Sequence, residues 1–191
     1  MRQLIVTQNI TLDGVIDAAE AGSAHRETKS STTRTSSRRC ARKARPVMPC
    51  RRCVTFEQLR GYWPLQTDDS TGVRDQLNTV EKYVISQMLD DDPGWERSTV
   101  LRGPVLDEIQ ALKALPGKDI VATGSMTLMP DLIAGGMVDE YRLFTHPVVL
   151  GHGQRLFADA SNVSPLRLDE TRPFRSGIVL LRYRTSKEAP R

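Results

Sequence analysis

The stretch DIVATGSMTLMPDLIAGGMVDEYRLFTHPVVLGHGQRLF, Asp119 to Phe157, decides the fold. It opens on a short β-branched run that gives way at Gly124-Ser125 to the segment SMTLMPDLIA, closed by the pair Gly135-Gly136, so a strand, a tight turn and a helix are predicted in that order. A second, longer strand is predicted over VDEYRLFTHPVVLG. Strand, helix and strand in succession make a βαβ unit, whose strands lie parallel in one sheet. Such sheets bind ligands outside the carboxyl ends of their strands. Gly124 and Ser125 stand at one of those ends, where backbone N–H groups at a helix start would face a phosphate; a simple tight turn is the commoner use of a glycine there.

The pattern extends in both directions. Upstream, GPVLDEIQALKAL repeats apolar residues at Val105, Leu106, Ile109, Leu112 and Leu115, a helical spacing stopped by Pro116-Gly117. RQLIVTQNI predicts a first strand, with a turn at Asp13-Gly14. TFEQLRGYWP predicts a short helix ended by Pro64, and LQTDDSTGVRDQLNTVE a loop leading into another helical piece. KYVIS, STVL and the late SGIVLLRYRT add three more strands. The expectation is one α/β domain over residues 1–191, three-layered α-β-α around a central, mostly parallel sheet.

One segment departs from this pattern. From Ser23 to Cys53 there are ten Lys and Arg against the single acid Glu27, and all three cysteines, Cys40, Cys50 and Cys53, lie within it. Its charge makes the whole chain formally +4, whereas the remainder is acidic. A basic total points towards nucleic acid or anionic membrane as partner, yet here that inference rests on this one segment. The N-terminus lacks a secretory-signal pattern and no apolar run reaches the roughly 20 residues that span a bilayer. A cytosolic protein with reduced thiols is expected.

Together, LIVTQNITLDGVID, VTFEQLRGYWP, KYVISQMLDDDPGW, the stretch from Asp119 to Phe157 and the final IVLLRYR resemble the dihydrofolate-reductase-like superfamily. The branch they are most similar to is the reductase domain of the bifunctional riboflavin-biosynthesis deaminase-reductase and its stand-alone relatives. The resemblance covers nearly everything except Ser23 to Cys53. It implies an NADPH-dependent reductase of a pteridine- or pyrimidine-like heterocycle, of the 5-amino-6-(5-phosphoribosylamino)uracil reductase or dihydrofolate reductase type. It also implies a homodimer, with no specific nucleic acid and no membrane among its partners.

The same resemblance implies site residues. Gly124, Ser125, Met126 and Thr127 match the glycine-containing turn and helix start at the cofactor, Thr55 a helix start that holds phosphate, and Ser86 the strand end whose loop meets the adenosine phosphate. Asp13 and Ile16 fall beside the nicotinamide, and Asp13 is the candidate proton source, although a turn residue before Gly14 is as ordinary a role. His146 and His152 could touch substrate or be structural. Trp63 and Trp95 are expected to pack rather than stack on a ligand. Asp90, Asp91 and Asp92 are consecutive, cannot converge as metal ligands do, and are expected in a solvated loop.

For Ser23 to Cys53 three readings compete. Cys40, Cys50, Cys53 and His25 could ligate zinc, but only one pair is compactly spaced. An Arg/Ser-rich arm could neutralise phosphates of an anionic polymer, which would suit a non-catalytic member of the family, but it has no interleaved aromatics to read bases. The preferred reading is a reading-frame change: the family places an amphipathic helix and a buried strand here, this segment has no apolar run, and the family motif resumes at once at Val54-Thr55-Phe56-Glu57. One strand of the sheet would then be lost.

Overall fold

A computed structural model describes residues 1–16, 44–49, 54–158 and 164–186, with the backbone alone described at 44–49. One sheet organises them. Its strands are β1 (Leu4–Thr11), β2 (Ala44–Pro49), β3 (Lys82–Ile85), β4 (Ser98–Leu101), β5 (Asp119–Thr123), β6 (Glu140–His146), β7 (Leu166–Pro173) and β8 (Val179–Thr185). The order across the sheet is β4-β3-β2-β5-β1-β6-β8-β7. All pairs from β4 to β6 are parallel, and β8 pairs antiparallel with both β6 and β7.

Helices cover both faces, as predicted. They are α1 (Val54–Tyr62), α2 (Val73–Thr79), α3 (Val105–Ala114) and α4 (Leu128–Ala134). Leu4, Val6 and Ile10 of β1 point to one face, as the period of two in a strand dictates. There they join Ile109 and Leu112 of α3, Leu128, Met129, Leu132 and Ile133 of α4, and Tyr141 and Leu143 of β6 in the main core. A satellite core of Phe56, Val84 and Trp95 packs α1 against the β3 side, with Leu59, Trp63, Leu77 and Leu89 around it. Both tryptophans are therefore packing residues.

The strand expected to be lost has its place filled. Ala44–Pro49 lies between β3 and β5, with Val47 opposite both Tyr83 and Ala122. A ladder is made by backbone groups, so two flanking strands can recruit a segment of poor β-propensity. Pro46 and Pro49 lack N–H groups, so this central strand has two donors fewer than an ordinary one. Apart from Ala44–Pro49, the residues on which the zinc, nucleic-acid-arm and reading-frame readings fall lie outside those described. The helix predicted from Ser125 begins later, at Leu128, because residues 125–127 form a turn. β7 was not predicted: LRLDETRP is a charged edge strand whose burial pattern shows no apolar face.

The acidic pair Asp139-Glu140 is absorbed by the framework. Asp139 accepts from the Leu4 N–H at 2.7 Å and from Lys113 Nζ at 2.5 Å, which pins the start of β1 and the end of α3 together. Glu140, 1% exposed, lies among Arg142, Arg182 and Arg184 on β6 and β8. Burial alone would raise its carboxyl pKa, but hydrogen bonds from Arg182 and Arg142 outweigh that and hold it below the ordinary range.

Candidate active site

Six parallel strands direct their carboxyl ends to one edge of the sheet, and the sequence-predicted residues gather there. Thr11 ends β1 and leads into Asp13 and Ile16; Ser86 follows β3; Gly124 to Thr127 follow β5; Thr55 opens the helix after β2. His146 closes β6, with its Nε2 3.3 Å from Asn9 Oδ1.

The β5 turn is built around Gly124. Its φ is +72°, a left-handed value that L side chains adopt rarely, and a Cβ there would lie 2.9 Å from Thr55 Cγ2. The Thr55 hydroxyl donates to the Gly124 carbonyl at 3.0 Å, which fastens α1 to the end of β5. The Gly124 N–H does not face outward as expected, but donates to Gln8 Oε1 at 3.1 Å. Ser125 is 3% exposed, and its Oγ accepts from the Leu128 N–H at 3.3 Å, so its hydroxyl organises the turn. Met126 and Thr127 are on the outside.

Ser86 is likewise a turn former. Its N–H donates to the Leu101 carbonyl, and its Oγ accepts from the N–H groups of Met88 and Leu89, both at 3.2 Å. Arg102 crosses this loop, donating to the Leu89 carbonyl and to Asp91 Oδ1, each at 2.7 Å. The Asp90–Asp92 run is thus an exposed loop tied by one arginine.

On the β1 side, Ile16 is 8% exposed and belongs to the main core, so only its backbone borders the edge. Asp13 accepts from the Thr11 hydroxyl at 2.6 Å, the Gly151 N–H at 2.8 Å and the Leu150 N–H at 3.3 Å. The Thr11 hydroxyl first, then the Gly151 amide, lower its pKa from 3.8 to about 2. In this ligand-free geometry the carboxylate anchors the β1 loop to the Leu150-Gly151 turn, beside the proton-source role expected of Asp13.

Three residues of this edge were not singled out from sequence. Gln8 occupies an inward position of β1, between Val6 and Ile10, and is 6% exposed. A lone amide in an inward-facing apolar series was the signal that could have found it. Asn9 and Gln154 gave no such signal; Gln154 Nε2 donates to the Met126 carbonyl at 3.0 Å, a contact set by the return of a distant turn. Among the described residues no helix is long and apolar enough to cross a membrane.

The RibD C-terminal domain family model matches residues 2–180. A curated relative, the uncharacterized protein YyaP of Bacillus subtilis strain 168, is 37% identical over 107 residues, 56% of each chain. The match thus spans little more than half the length of that relative. Among solved structures, a pyrimidine reductase-like protein from Corynebacterium diphtheriae superposes with a TM-score of 0.62 at 14% identity, over 98% of this chain and 93% of that one. Dihydrofolate reductase from Enterococcus faecalis, complexed with NADP(H), superposes with a TM-score of 0.59 at 16% identity, over 97% of each chain. At such identities the superpositions establish the fold.

Proposed function

This chain belongs to the RibD C-terminal domain family, and we propose that it is an NADPH-dependent reductase of a small pyrimidine- or pteridine-like heterocycle. The observation that carries the reading is the convergence of the β1 loop, the Thr55 helix start, the Ser86 turn and the Gly124–Thr127 turn on one edge of a parallel sheet. The fit to a dinucleotide rests on Gly124. Its left-handed backbone presents no side chain, and the Thr55 methyl takes that space, which brings the Thr55 helix start directly against the β5 turn.

Thr55 and the 124–127 turn would hold the phosphates, Ser86 and its loop the adenosine end, and the backbone of residues 13–16 would border the nicotinamide. When bound, the cofactor supplies the hydride. The chain's own work is to orient the two rings and exclude water. Asp13, ionised and spent on Gly151 and Leu150, keeps the β1 loop in place beside them. The pair Asn9 and His146, at the ends of β1 and β6, is the polar group on this edge best suited to meet a heterocycle's substituents. A cytosolic homodimer completes the reading.

The test is direct. The full chain is titrated with NADPH by nicotinamide fluorescence, then mixed with a panel of pyrimidines and pteridines while nicotinamide absorbance is followed. Binding with turnover supports the reading. Binding without turnover favours a non-catalytic member of the family, and no binding overturns the cofactor assignment.

A further inference from the structure

The two halves of this edge are joined by a third element. After β6 the chain turns through residues 147–156 and runs back along the β1 loop. Leu12 N–H donates to the Val148 carbonyl at 2.9 Å, Ile16 N–H to the Gln154 carbonyl at 2.9 Å, and Leu156 N–H to the Gly14 carbonyl at 3.0 Å. Val15 and Arg155 form an antiparallel bridge, and Asp13 takes the Leu150 and Gly151 amides. Gly151, at φ +76°, makes this course possible, since the left-handed value is rare for other residues. From its far end Gln154 reaches across to the Met126 carbonyl at 3.0 Å. One short turn therefore grips the loop beside the proposed nicotinamide position and touches the turn at the proposed phosphate position.

We propose that the 147–156 turn is a strap coupling these two loops, with Gln154 as the positioning residue that transmits order from the 124–127 turn to residues 12–16. The inference rests on the proposed cofactor site for its use, but not for its existence. Gln154 reports the state of one loop through its side chain and of the other through its own carbonyl, which accepts from Ile16. Loosening either contact frees a residue that both loops share. The other contacts between the β1 loop and the strap, the main-chain pairs and the Asp13 carboxylate, fasten the two without reaching Met126.

Hydrogen exchange on the full chain tests both parts. Without ligand, Asp13→Asn should speed exchange of the 124–127 amides when Gln154 is present. It should leave them unaffected in a Gln154→Leu background, a non-additivity that independent loops would not show. Gln154→Lys, which retains a donor of similar reach, should restore the effect. With NADPH as probe, the native chain should gain protection at both 124–127 and Gly14 to Ile16. In Gln154→Leu the second gain should shrink by a factor of about 2–10, the worth of one net hydrogen bond. Additive effects in the ligand-free cycle, or equal protection of residues 14–16 in Gln154→Leu, would overturn the strap. Ligand-free coupling with no NADPH protection anywhere would uphold the strap and overturn the cofactor reading.

Discussion

Thr55 and Gly124, 69 positions apart, are joined by a 3.0 Å hydrogen bond from hydroxyl to carbonyl, and the Thr55 methyl lies where a Gly124 side chain would have to go. Gly124→Ala therefore combines backbone strain of about 1–2 kcal/mol with displacement of Thr55. The expected outcome is a lower melting temperature and NADPH binding weakened by about tenfold, which corresponds to about 1.4 kcal/mol. Fluorescence titration of the folded variant checks it; unchanged affinity would remove the β5 turn from the cofactor site.

Thr55→Val separates the two effects. It keeps the methyl contact and removes the donor, so stability should fall by about 0.5–1.5 kcal/mol. Urea unfolding measures this, and a fall in NADPH affinity larger than the fall in stability would mark the hydroxyl as part of the site.

Glu140→Gln should be among the more damaging changes outside that edge. It leaves Arg142, Arg182 and Arg184 around a neutral group, and breaking a buried ion pair on one side costs about 3–5 kcal/mol. Because its folded pKa lies below the ordinary carboxylate value, the stability contributed by Glu140 is complete above that value and is lost as the pH falls through the lowered one. Denaturant midpoints measured through the acid range should show a decline in the native chain that is reduced in the variant.

Lys82 has the same sign at the alkaline end of the scale, although here burial disfavours the charged form. It is fully buried, donates to the Leu77 and Val80 carbonyls at 2.8 and 3.1 Å, and sits 4.7 Å from the centre of the Trp95 ring. Burial lowers its pKa from 10.5 to about 8 despite the nearby Glu81 and Glu96, while Arg97 adds to the lowering. Between those two values the unfolded chain holds the proton and the folded chain does not, so this residue makes stability rise with pH from about 8 towards 10.5. Lys82→Met should flatten that rise; an unchanged slope would place the titration elsewhere.

Strand β2 offers a gain. Pro46→Val and Pro49→Val each return a donor to a strand with neighbours on both sides, worth about 0.5–1.5 kcal/mol net. A higher melting temperature for the double variant is expected, and no change would mean that the ladder does not use those two positions.

Much was legible in the amino-acid order. The alternation of Leu4, Val6 and Ile10, the helical spacing of Val105 to Leu115, and the run from Asp119 to Phe157 specify strands, helices and their sequence because each is a local matter of period and turn chemistry. Parallel strands then bring Thr55, Ser86 and Gly124 to one edge whatever the details. β7 and the recruitment of Ala44–Pro49 were not legible, since an edge strand carries little apolar pattern and a recruited one takes its shape from its neighbours.

What each site residue does was decided only by the tertiary structure. Asp13, Ser86 and Ser125 read as polar groups available to a ligand, and each proves to be satisfied by backbone groups in its own turn or in a distant one. Gln8 and Gln154, not singled out from the sequence, hold the edge together. The reason is that a side chain's type sets which hydrogen bonds it can make, while its partners are chosen by the folded chain, from its own turn for Ser86 and Ser125 and from a distant segment for Asp13 and Gln8.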